Sequence, residues 1–359
     1  MTLSLWVYLN KMLEYFIKLR FGCFMSSIPK HRPTLNDIAS LVGVTKMTVS
    51  RYLRDPNSVA VSTREKIAVV IEEIGYVPSR APDILSNRNS KAIGILIPSL
   101  SNQVFASLIQ GIEAVTKTQG YQTLITHYGY SPEEEEKKIQ SLLSYHVDGL
   151  ILTESIHTQR TLKMIESAGV SVVETIDLPE KPIEIVVGLD HEQAAYDMVS
   201  LMIARGRRQI MYFAARMDRR TQLRCDGYTR AIIENGLTPV IVATEEHSSF
   251  TQGRLLMEKS LIDYPSLDGV FCTNDDLAIG AMMLCQEHHI VIPDQIAIAG
   301  CNALDIGKAI SPTLASIETP REQMGKMAAE LLLRKLSNKS IATPINNIGY
   351  SIFLGDSLG

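Results

Sequence analysis

The pattern of apolar and polar positions after Ala92 alternates between short continuous apolar runs and longer amphipathic stretches. The short runs are typical of buried parallel strands, and the amphipathic stretches are typical of helices that cover a sheet. The pattern predicts strands at Ile93–Ile97, Gln122–Thr126, Gly149–Leu152, Val172–Thr175, Ile210–Phe213, Val240–Ala243, Val270–Cys272 and Ile296–Ala299. It predicts helices at Phe105–Thr118, Glu133–Tyr145, Glu192–Ala204, Leu223–Glu234 and Leu277–Glu287. These repeated βα units indicate an α/β body of two lobes, each a doubly wound parallel sheet.

A different pattern precedes this body, in which short amphipathic segments are separated by glycine. Thr34, followed by Asp37, predicts the start of a first helix that ends at Gly43. Thr45 predicts the cap of a second helix, and Ser62, in the segment "STRE", predicts the cap of a third. Two helices joined around a glycine favour a helix-turn-helix. The pattern alone leaves open a helical fragment of a larger domain.

The second of these helices, in the segment "VTKMTVSRYL", has a polar face. Val49, Tyr52 and Leu53 are expected to pack inward. Side chains near the start of a helix in the major groove can contact base edges, where lysine suits guanine acceptors and methionine or threonine suits a thymine methyl group. The outward residues of this helix are Lys46, Met47, Thr48, Ser50 and Arg51.

The charge of the chain is unevenly distributed. The whole chain of 359 residues has a formal net charge of −4. Between Lys30 and Lys91 there are ten basic and six acidic residues, a net charge of +4, so the remainder carries −4 − 4 = −8. A basic head on an acidic body is typical of a module for a polyanion joined to a second function.

The remaining composition indicates a globular protein of the reducing cytoplasm without a membrane span. The five cysteines form no CxxC pair, so no disulfide framework or zinc finger is encoded. Lys11, Glu14, Lys18 and Arg20 interrupt the apolar segment at the amino terminus, which is then too short to span a bilayer. We expect translation to begin at Met25, with a surface-lying amphipathic helix as the alternative.

Several motifs together resemble the LacI/GalR family of transcription regulators. The segment "LNDIASLVGVTKMTVSRYL" is followed by "TREKIAVVIEEIGYVPSRAPDILSNRNS", and then by "AIGILIPS", "DGVFCTNDDLAIGA" and "SPTLASIETP". The resemblance covers the chain from about residue 32 onward. The segments "NQVFA", "THYGY" and "DGLILTE" are similar, more narrowly, to the family members that regulate gluconate and idonate utilisation.

The resemblance implies a homodimeric repressor that binds a palindromic DNA operator. Ala81 to Asn87 would form a short hinge helix over the minor groove, with Leu85 inserted into the central base step. The implied domains are an extension at 1–31, the helix-turn-helix at 32–78, the hinge at 79–91, an N-terminal lobe at 92–189 plus 318–336, and a C-terminal lobe at 190–317 plus 337–359. The expected DNA contacts are Thr34, Thr45, Lys46, Met47, Thr48, Ser50, Arg51, Asn57, Arg80, Ala81 and Leu85.

A small-molecule effector, rather than a cofactor, is expected in the cleft between the lobes. Polar residues follow the predicted strands, where ligands of such sheets bind. Arg224, in "LRCDGY", matches an arginine that points into the cleft of sugar-responsive members, and a guanidinium suits the carboxylate of gluconate or another aldonate. Asn302 departs from the aspartate that is common in the family. The expected effector contacts are Ser99, Asn102, Phe105, Tyr128, Glu154, Arg224, Asn274, Asp275 and Asn302.

Alternatives remain for individual residues and for the function of the whole protein. Asp275 could cap a helix, and Arg216, Arg219 and Arg220 could be surface charges. The sequence has no GxSxG, Walker, HExxH or GxGxxG motif, so we expect no enzyme activity. A solute-binding protein, a sugar-acid enzyme and a regulator that uses a corepressor are the competing hypotheses.

Overall fold

The computed structural model describes residues 32–79 and 89–359, which belong to two separate compact units. The predictions for the extension at 1–31 and for the hinge residues Arg80, Ala81 and Leu85 lie outside the described residues. The smaller unit is the helical head, and the larger unit is the α/β body.

Within residues 32–79, the head has three short helices around a small apolar core. Helices α1, α2 and α3 span Leu35–Val42, Lys46–Arg54 and Val61–Glu73, with a 3-10 turn at Pro56–Ser58. The fully buried side chains of this core are Ile38, Val49 and Ile67. Since each helix contributes one of these residues, each depends on the other two for its apolar face.

Local capping determines where α1 and α2 begin. The Thr34 backbone N–H donates to the Asp37 carboxylate at 2.7 Å, and the Thr34 hydroxyl accepts the Asp37 N–H, which forms a capping box. Gly43 ends α1 with φ 74°, a left-handed conformation that favours glycine. The Thr45 hydroxyl accepts the Thr48 N–H at 3.2 Å. The predicted starts of both helices are therefore confirmed.

The predicted cap of the third helix is wrong. Helix α3 begins at Val61 with Ala60 as its N-cap, and no side chain caps it. Ser62 already lies inside the first helical turn. Its hydroxyl is therefore not at the capping position, and "STRE" forms no capping box.

The body contains two six-stranded sheets. The first has the order β11-β5-β4-β3-β1-β2 and the second the order β12-β10-β9-β8-β6-β7. The strands of the first sheet are β1 Ala92–Ile97, β2 Gln122–His127, β3 Gly149–Leu152, β4 Ser171–Ile176, β5 Ile185–Gly188 and β11 Ile345–Asn347. The strands of the second are β6 Ile210–Ala215, β7 Val240–Thr244, β8 Gly269–Cys272, β9 Ala297–Cys301, β10 Ala315–Glu318 and β12 Ser351–Phe353. All pairs are parallel except β10 with β12.

Helices cover both sheets, as the alternating pattern predicts. Those of the first part of the body are α4 Val104–Thr116, α5 Pro132–Ser144, α6 Gln159–Ala168 and α7 His191–Ala204. The others are α8 Arg219–Glu234, α9 Phe250–Asp263, α10 Asp275–Glu287, α11 Asp305–Ala309 and α12 Arg321–Leu336. Four of these, α6, α9, α11 and α12, are not among the predicted helices. None of the helices in the described ranges is long and apolar enough to cross a membrane.

The chain crosses between the lobes three times, and the last crossing lies later than predicted. Strand β11 pairs in parallel with β5, with Ile345 opposite Val186, so it belongs to the first sheet. Strand β12 then pairs with β10 in the second sheet. The boundary that assigned all of 337–359 to the C-terminal lobe is therefore wrong, because 345–347 completes the edge of the N-terminal lobe.

Close helix packing holds α12 against α4. A Cβ atom on Gly325 would lie 2.1 Å from the backbone oxygen of Leu108, and one on Gly111 would lie 2.1 Å from that of Glu322. Neither position can therefore carry a larger side chain without moving a helix. This contact fixes the first turn of α12, where Arg321 lies, at the lobe crossing.

A buried ionic group joins α5, the loop before α6 and β4 on the outer side of the first sheet. The Nδ1 atom of His157 lies 3.0 Å from Oε1 of Glu135, and its Nε2 atom lies 3.7 Å from Oε1 of Glu174. Glu174 also accepts the Ile183 N–H at 2.6 Å. Burial alone would lower the pKa of His157, but the two carboxylates raise it to about 9. The imidazole is therefore protonated at neutral pH.

The ionic group around His157 should make the stability of the protein depend on pH. A histidine whose pKa is raised in the folded state contributes stability that is complete below its unfolded pKa and is lost as pH rises through about 9. The contribution is at most roughly 3 kcal/mol. We expect the melting temperature to fall between pH 6.5 and 9, and we expect His157→Gln to flatten that fall. The measurement is a thermal unfolding series at stepped pH.

His288 is exposed and offers the matched control. We expect His288→Gln to show the same fall of melting temperature with pH as the wild type. A slope in His157→Gln equal to that of the wild type would contradict the role assigned to this ionic group.

Candidate DNA interface and effector cleft

The start of α2 presents the outward residues that were predicted for DNA contact. Met47 is 68% exposed, and Lys46 and Arg51 are also exposed. Thr48 and Ser50 are half-buried. The hydroxyls of Thr45 and Thr48 lie 2.9 Å apart, which holds both at the first turn of the helix. A rigid helix start with exposed polar and apolar side chains is what base contact in a major groove requires.

Two other predicted contacts, Thr34 and Asn57, flank α2 and are held by neighbouring side chains. The Thr34 hydroxyl donates to Asp37 at 2.7 Å, and Asn57 Oδ1 accepts from Arg64 at 2.8 Å. A hollow beside α2 is lined by Thr34, Lys46 and Ser50, and also by Arg32 and Arg54, which the sequence analysis missed. The sequence could have indicated both residues, because one arginine precedes α1 and the other ends α2, at positions suited to phosphate contact.

The cleft of the body holds a cavity of about 40 Å³ at the carboxyl ends of the strands. Both lobes line it, so it lies where the sequence analysis expected the effector. Five of the predicted contacts line this cavity, namely Asn102, Phe105, Arg224, Asn274 and Asn302. Ser99, Tyr128, Glu154 and Asp275 do not line it. Lining residues that the sequence analysis did not propose as contacts include Tyr130, His191, Arg216, Asp218, Arg220, Thr319 and Arg321.

Asp275 is a structural residue behind the cleft. Its side chain is fully buried and accepts the Ser316 hydroxyl and the Leu304 N–H, both at 2.6 Å. Burial raises the pKa of Asp275 to about 7. The alternative that Asp275 caps α10 is wrong, because Asn274 occupies the N-cap position and no side chain caps this helix. Asp275 instead ties β10 to the loop that follows β9.

Arg220 bridges the two lobes from α8. Its Nη1 atom donates to the Thr153 carbonyl at 2.8 Å. The guanidinium also lies 3.8 Å from Oε2 of Glu154 and 3.8 Å from Oδ2 of Asp177, and these partners follow β3 and β4 of the first sheet. Burial would lower the pKa of Arg220, but the carboxylates raise it. The alternative that Arg220 is a surface charge is therefore wrong.

Tyr128 and Glu154 contribute to the cleft indirectly, through Arg220. The Tyr128 hydroxyl donates to Oε2 of Glu154 at 3.2 Å, and the same oxygen faces Arg220. Burial raises the pKa of Glu154, whereas Arg220 lowers it. Ser99 bonds to Ser101 at 3.0 Å. These residues hold the end of the first lobe in place without reaching the cavity.

A second chain of polar contacts leads from Asp177 to Arg224. The Nη2 atom of Arg224 lies 3.3 Å from Nδ1 of His191, whose Nε2 atom lies 3.4 Å from Oδ1 of Asp177. Burial and Arg224 lower the pKa of His191, so the imidazole is neutral. Because arginine only donates, Nδ1 is the acceptor and Nε2 carries the proton that faces Asp177. Arg224 also donates to the Thr273 carbonyl at 2.7 Å.

The lining of the cleft is electropositive. Four arginines line it, Arg216, Arg220, Arg224 and Arg321, together with one carboxylate, Asp218. Counting Glu154 and Asp177, which face Arg220, there are 4 − 3 = 1 excess positive charges if all three carboxylates are ionised. The Nε atoms of Arg216, Arg224 and Arg321 are buried and lack a hydrogen-bond partner within the described residues. Such donors are costly unless water or a ligand satisfies them.

Comparisons with known proteins agree with this architecture. Residues 34–79 match the model of bacterial regulatory proteins of the lacI family, and residues 199–358 match a periplasmic binding protein-like domain. The chain is 51% identical over 329 residues to the HTH-type transcriptional regulator GntR of Escherichia coli K12, covering 92% of this chain and 99% of that protein. It is 47% identical to the regulator IdnR of the same organism, covering 91% and 99%.

Solved structures support the same assignment. A LacI-family transcriptional regulator from Silicibacter pomeroyi superposes with a TM-score of 0.86 at 31% identity, covering 91% of this chain and 99% of that chain. The lac repressor dimer bound to operator has a TM-score of 0.78 at 21% identity, covering 91% and 99%, and shows the shared fold. The expected resemblance and the predicted fold class are both confirmed. This chain is therefore a DNA-binding transcription regulator that belongs to the LacI family.

Proposed function

We propose that this protein represses sugar-acid catabolic genes and leaves a palindromic operator when an aldonate such as gluconate binds in the cleft. The observation that carries the proposal is the electropositive cavity, whose guanidinium Nε–H groups lack partners among the described residues. A carboxylate would accept from such donors through charge-assisted hydrogen bonds. The motifs shared with gluconate- and idonate-responsive members of the family support the same class of ligand.

The rest of the cavity suits a polyhydroxylated chain. Asn102, Asn274 and Asn302 supply amide groups that can both donate to and accept from hydroxyls. Phe105 and Tyr130 supply apolar surface for the C–H faces of the ligand. This combination of a few polar groups and an apolar wall is typical of small-molecule sites.

The size of the cavity links binding to lobe movement. A volume of about 40 Å³ accommodates only about three water molecules. An aldonate is larger than this volume, so we expect its binding to be accompanied by a change in the spacing of the lobes or in the side chains that line the cavity. The effector then shifts the equilibrium toward whichever lobe arrangement it binds more tightly, and it weakens operator binding if that arrangement is incompatible with DNA.

Two exposed edges of the body support the homodimer that a palindromic operator needs. Strands β2 and β7 lie at the edges of their sheets. Ile125 on β2 and Ile241 on β7 are 40% and 46% exposed, and Tyr145, just after α5, and Ile262, on α9, are 66% and 75% exposed. Exposed apolar side chains beside an open sheet edge are suited to contact with a second copy.

Gluconate should release the wild-type protein from its operator. We expect saturating gluconate to weaken operator binding at least about tenfold, which corresponds to a coupling free energy of about 1.4 kcal/mol. Arg224→Ala should bind the operator normally without gluconate but require a much higher concentration for release. The measurement is fluorescence anisotropy with a labelled palindrome selected from random duplexes, at fixed salt.

Two outcomes would contradict this proposal, and a third would change only the identity of the effector. Thermal-shift binding of gluconate without a change in operator affinity would remove the induction mechanism. Tighter operator binding would establish a corepressor. Stronger release by idonate or 6-phosphogluconate than by gluconate would reassign the effector within the same class.

Lys46 and Met47 should affect DNA binding in different ways. Lys46→Ala removes a charged donor suited to guanine, so it should weaken binding, reduce the salt dependence and also relax the preference for guanine at one base pair of each half-site. Met47→Ala removes an exposed apolar side chain, so it should change the preference at one base pair of each half-site by up to about tenfold. Binding to palindromes varied one position at a time measures both effects.

Val69 on α3 is 53% exposed and provides the control, because Val69→Ala should leave affinity and preference unchanged. If Met47→Ala changed affinity uniformly across all palindromes, Met47 would not be a base contact.

A further inference from the structure

We propose that Arg321, the first residue of α12, is a second anion contact of the cleft, and that it selects sugar acids over uncharged sugars. This inference rests on the proposed function, because it concerns the ligand of the same cavity. It identifies a specificity residue that the sequence analysis did not single out.

The guanidinium of Arg321 is held in place by one of its nitrogens. Its Nη1 atom donates to the Asn302 carbonyl and, at 2.8 Å, to the Thr319 hydroxyl. The Nε atom is buried without a hydrogen-bond partner, and Nη2 makes no hydrogen bond within residues 32–79 and 89–359. The Nε and Nη2 atoms form one edge of the planar group, and that edge can hold a carboxylate through two parallel hydrogen bonds.

Arg321 is also less closely compensated by carboxylates than Arg216 and Arg220 are. Arg216 lies 3.8 Å from Asp218, and Arg220 lies 3.8 Å from both Glu154 and Asp177, whereas Arg321 forms no ion pair there. Burial lowers the pKa of Arg321, and the carboxylates of Asp275 and Glu318, which form no ion pair with it, offset only part of this effect. An anionic ligand would therefore remove a larger penalty at Arg321 than at either of those arginines.

Arg224 is less free to make a two-point contact. Its Nη1 atom donates to the Thr273 carbonyl and to Asn274, and its Nη2 atom is engaged with His191. Only its Nε atom is buried and unpartnered. The two arginines therefore suit different roles, with a single hydrogen bond from Arg224 and a paired contact from Arg321.

The position of Arg321 makes it a precise binding element. It begins a helix that is fixed against α4 by the close contact at Gly325, and its Nη1 partners lie just after β9 and β10 of the second sheet. Side chains that are held by a rigid element and by fixed hydrogen bonds keep the geometry that binding requires. A ligand at this edge would contact a residue that already connects the two lobes.

Calorimetric titration of the full chain with gluconate and with gluconamide, its uncharged isostere, tests this inference. The wild type should bind gluconate at least about tenfold more tightly than gluconamide. Arg321→Gln should lose about 10- to 100-fold in gluconate affinity and much less in gluconamide affinity, because a hydrogen bond to a charged group is removed. Arg321→Lys retains the charge without the planar edge, so its gluconate affinity should lie between those of the wild type and Arg321→Gln.

Controls separate ligand contact from a purely structural role. Arg160 forms an exposed ion pair with Glu136, so Arg160→Gln should bind both ligands as the wild type does. An equal loss of affinity for gluconate and gluconamide in Arg321→Gln would indicate a structural tie and overturn the inference. Gluconate affinity within threefold of the wild type in Arg321→Gln and Arg321→Lys would overturn it as well.

The outcomes for the inference and for the proposed function are distinguishable. A wild type that binds no gluconate, galactonate or idonate would overturn both. A wild type that binds gluconate and is released from DNA, together with an Arg321→Gln variant that responds equally well, would overturn the inference alone.

Discussion

The arrangement of the cleft depends on one constraint, which is that buried guanidinium groups must be compensated. Arg220 reaches from the second lobe to the Thr153 carbonyl of the first, and Arg321, at the start of a first-lobe helix, reaches the Asn302 carbonyl of the second. Each bond satisfies a charged donor that would otherwise lie unpaired in a dry environment. The two lobes are therefore joined by polar contacts whose cost of separation depends on what else can satisfy the arginines.

A ligand that satisfies these groups changes the balance between lobe arrangements. Removing one partner of a buried charge is costly, whereas exchanging one anionic partner for another is not. The cleft already contains carboxylates close to Arg220, whereas Arg321 forms no ion pair within the described residues. An anion can therefore bind there without displacing a protein carboxylate. This difference explains how a small ligand could act on lobe geometry while the bridge at Arg220 stays intact.

The sequence predicted the features that depend on residues close together in the chain, namely most strands and the starts of two helices. Apolar runs located most strands to within a residue or two, and Thr34 and Thr45 marked true helix starts because their partners lie three residues away. The three-residue strand β11 was missed because it is too short and polar to show a pattern, and its pairing with β5 is long-range. Arg220 and Arg321 were missed as cleft residues because their burial arises only when the lobes meet.

The difference between local and long-range contacts also explains why the effector contacts were predicted less well than the DNA contacts of the head. On α2 the helix period decides which side chains face outward, so one buried residue, Val49, fixes the rest. In the cleft, two consecutive residues after β8 point in different directions: Asn274 lines the cavity, whereas Asp275 turns back to Ser316 and Leu304. Strand ends identify the region of a ligand site, but side-chain direction there depends on the hydrogen bonds available in the assembled fold.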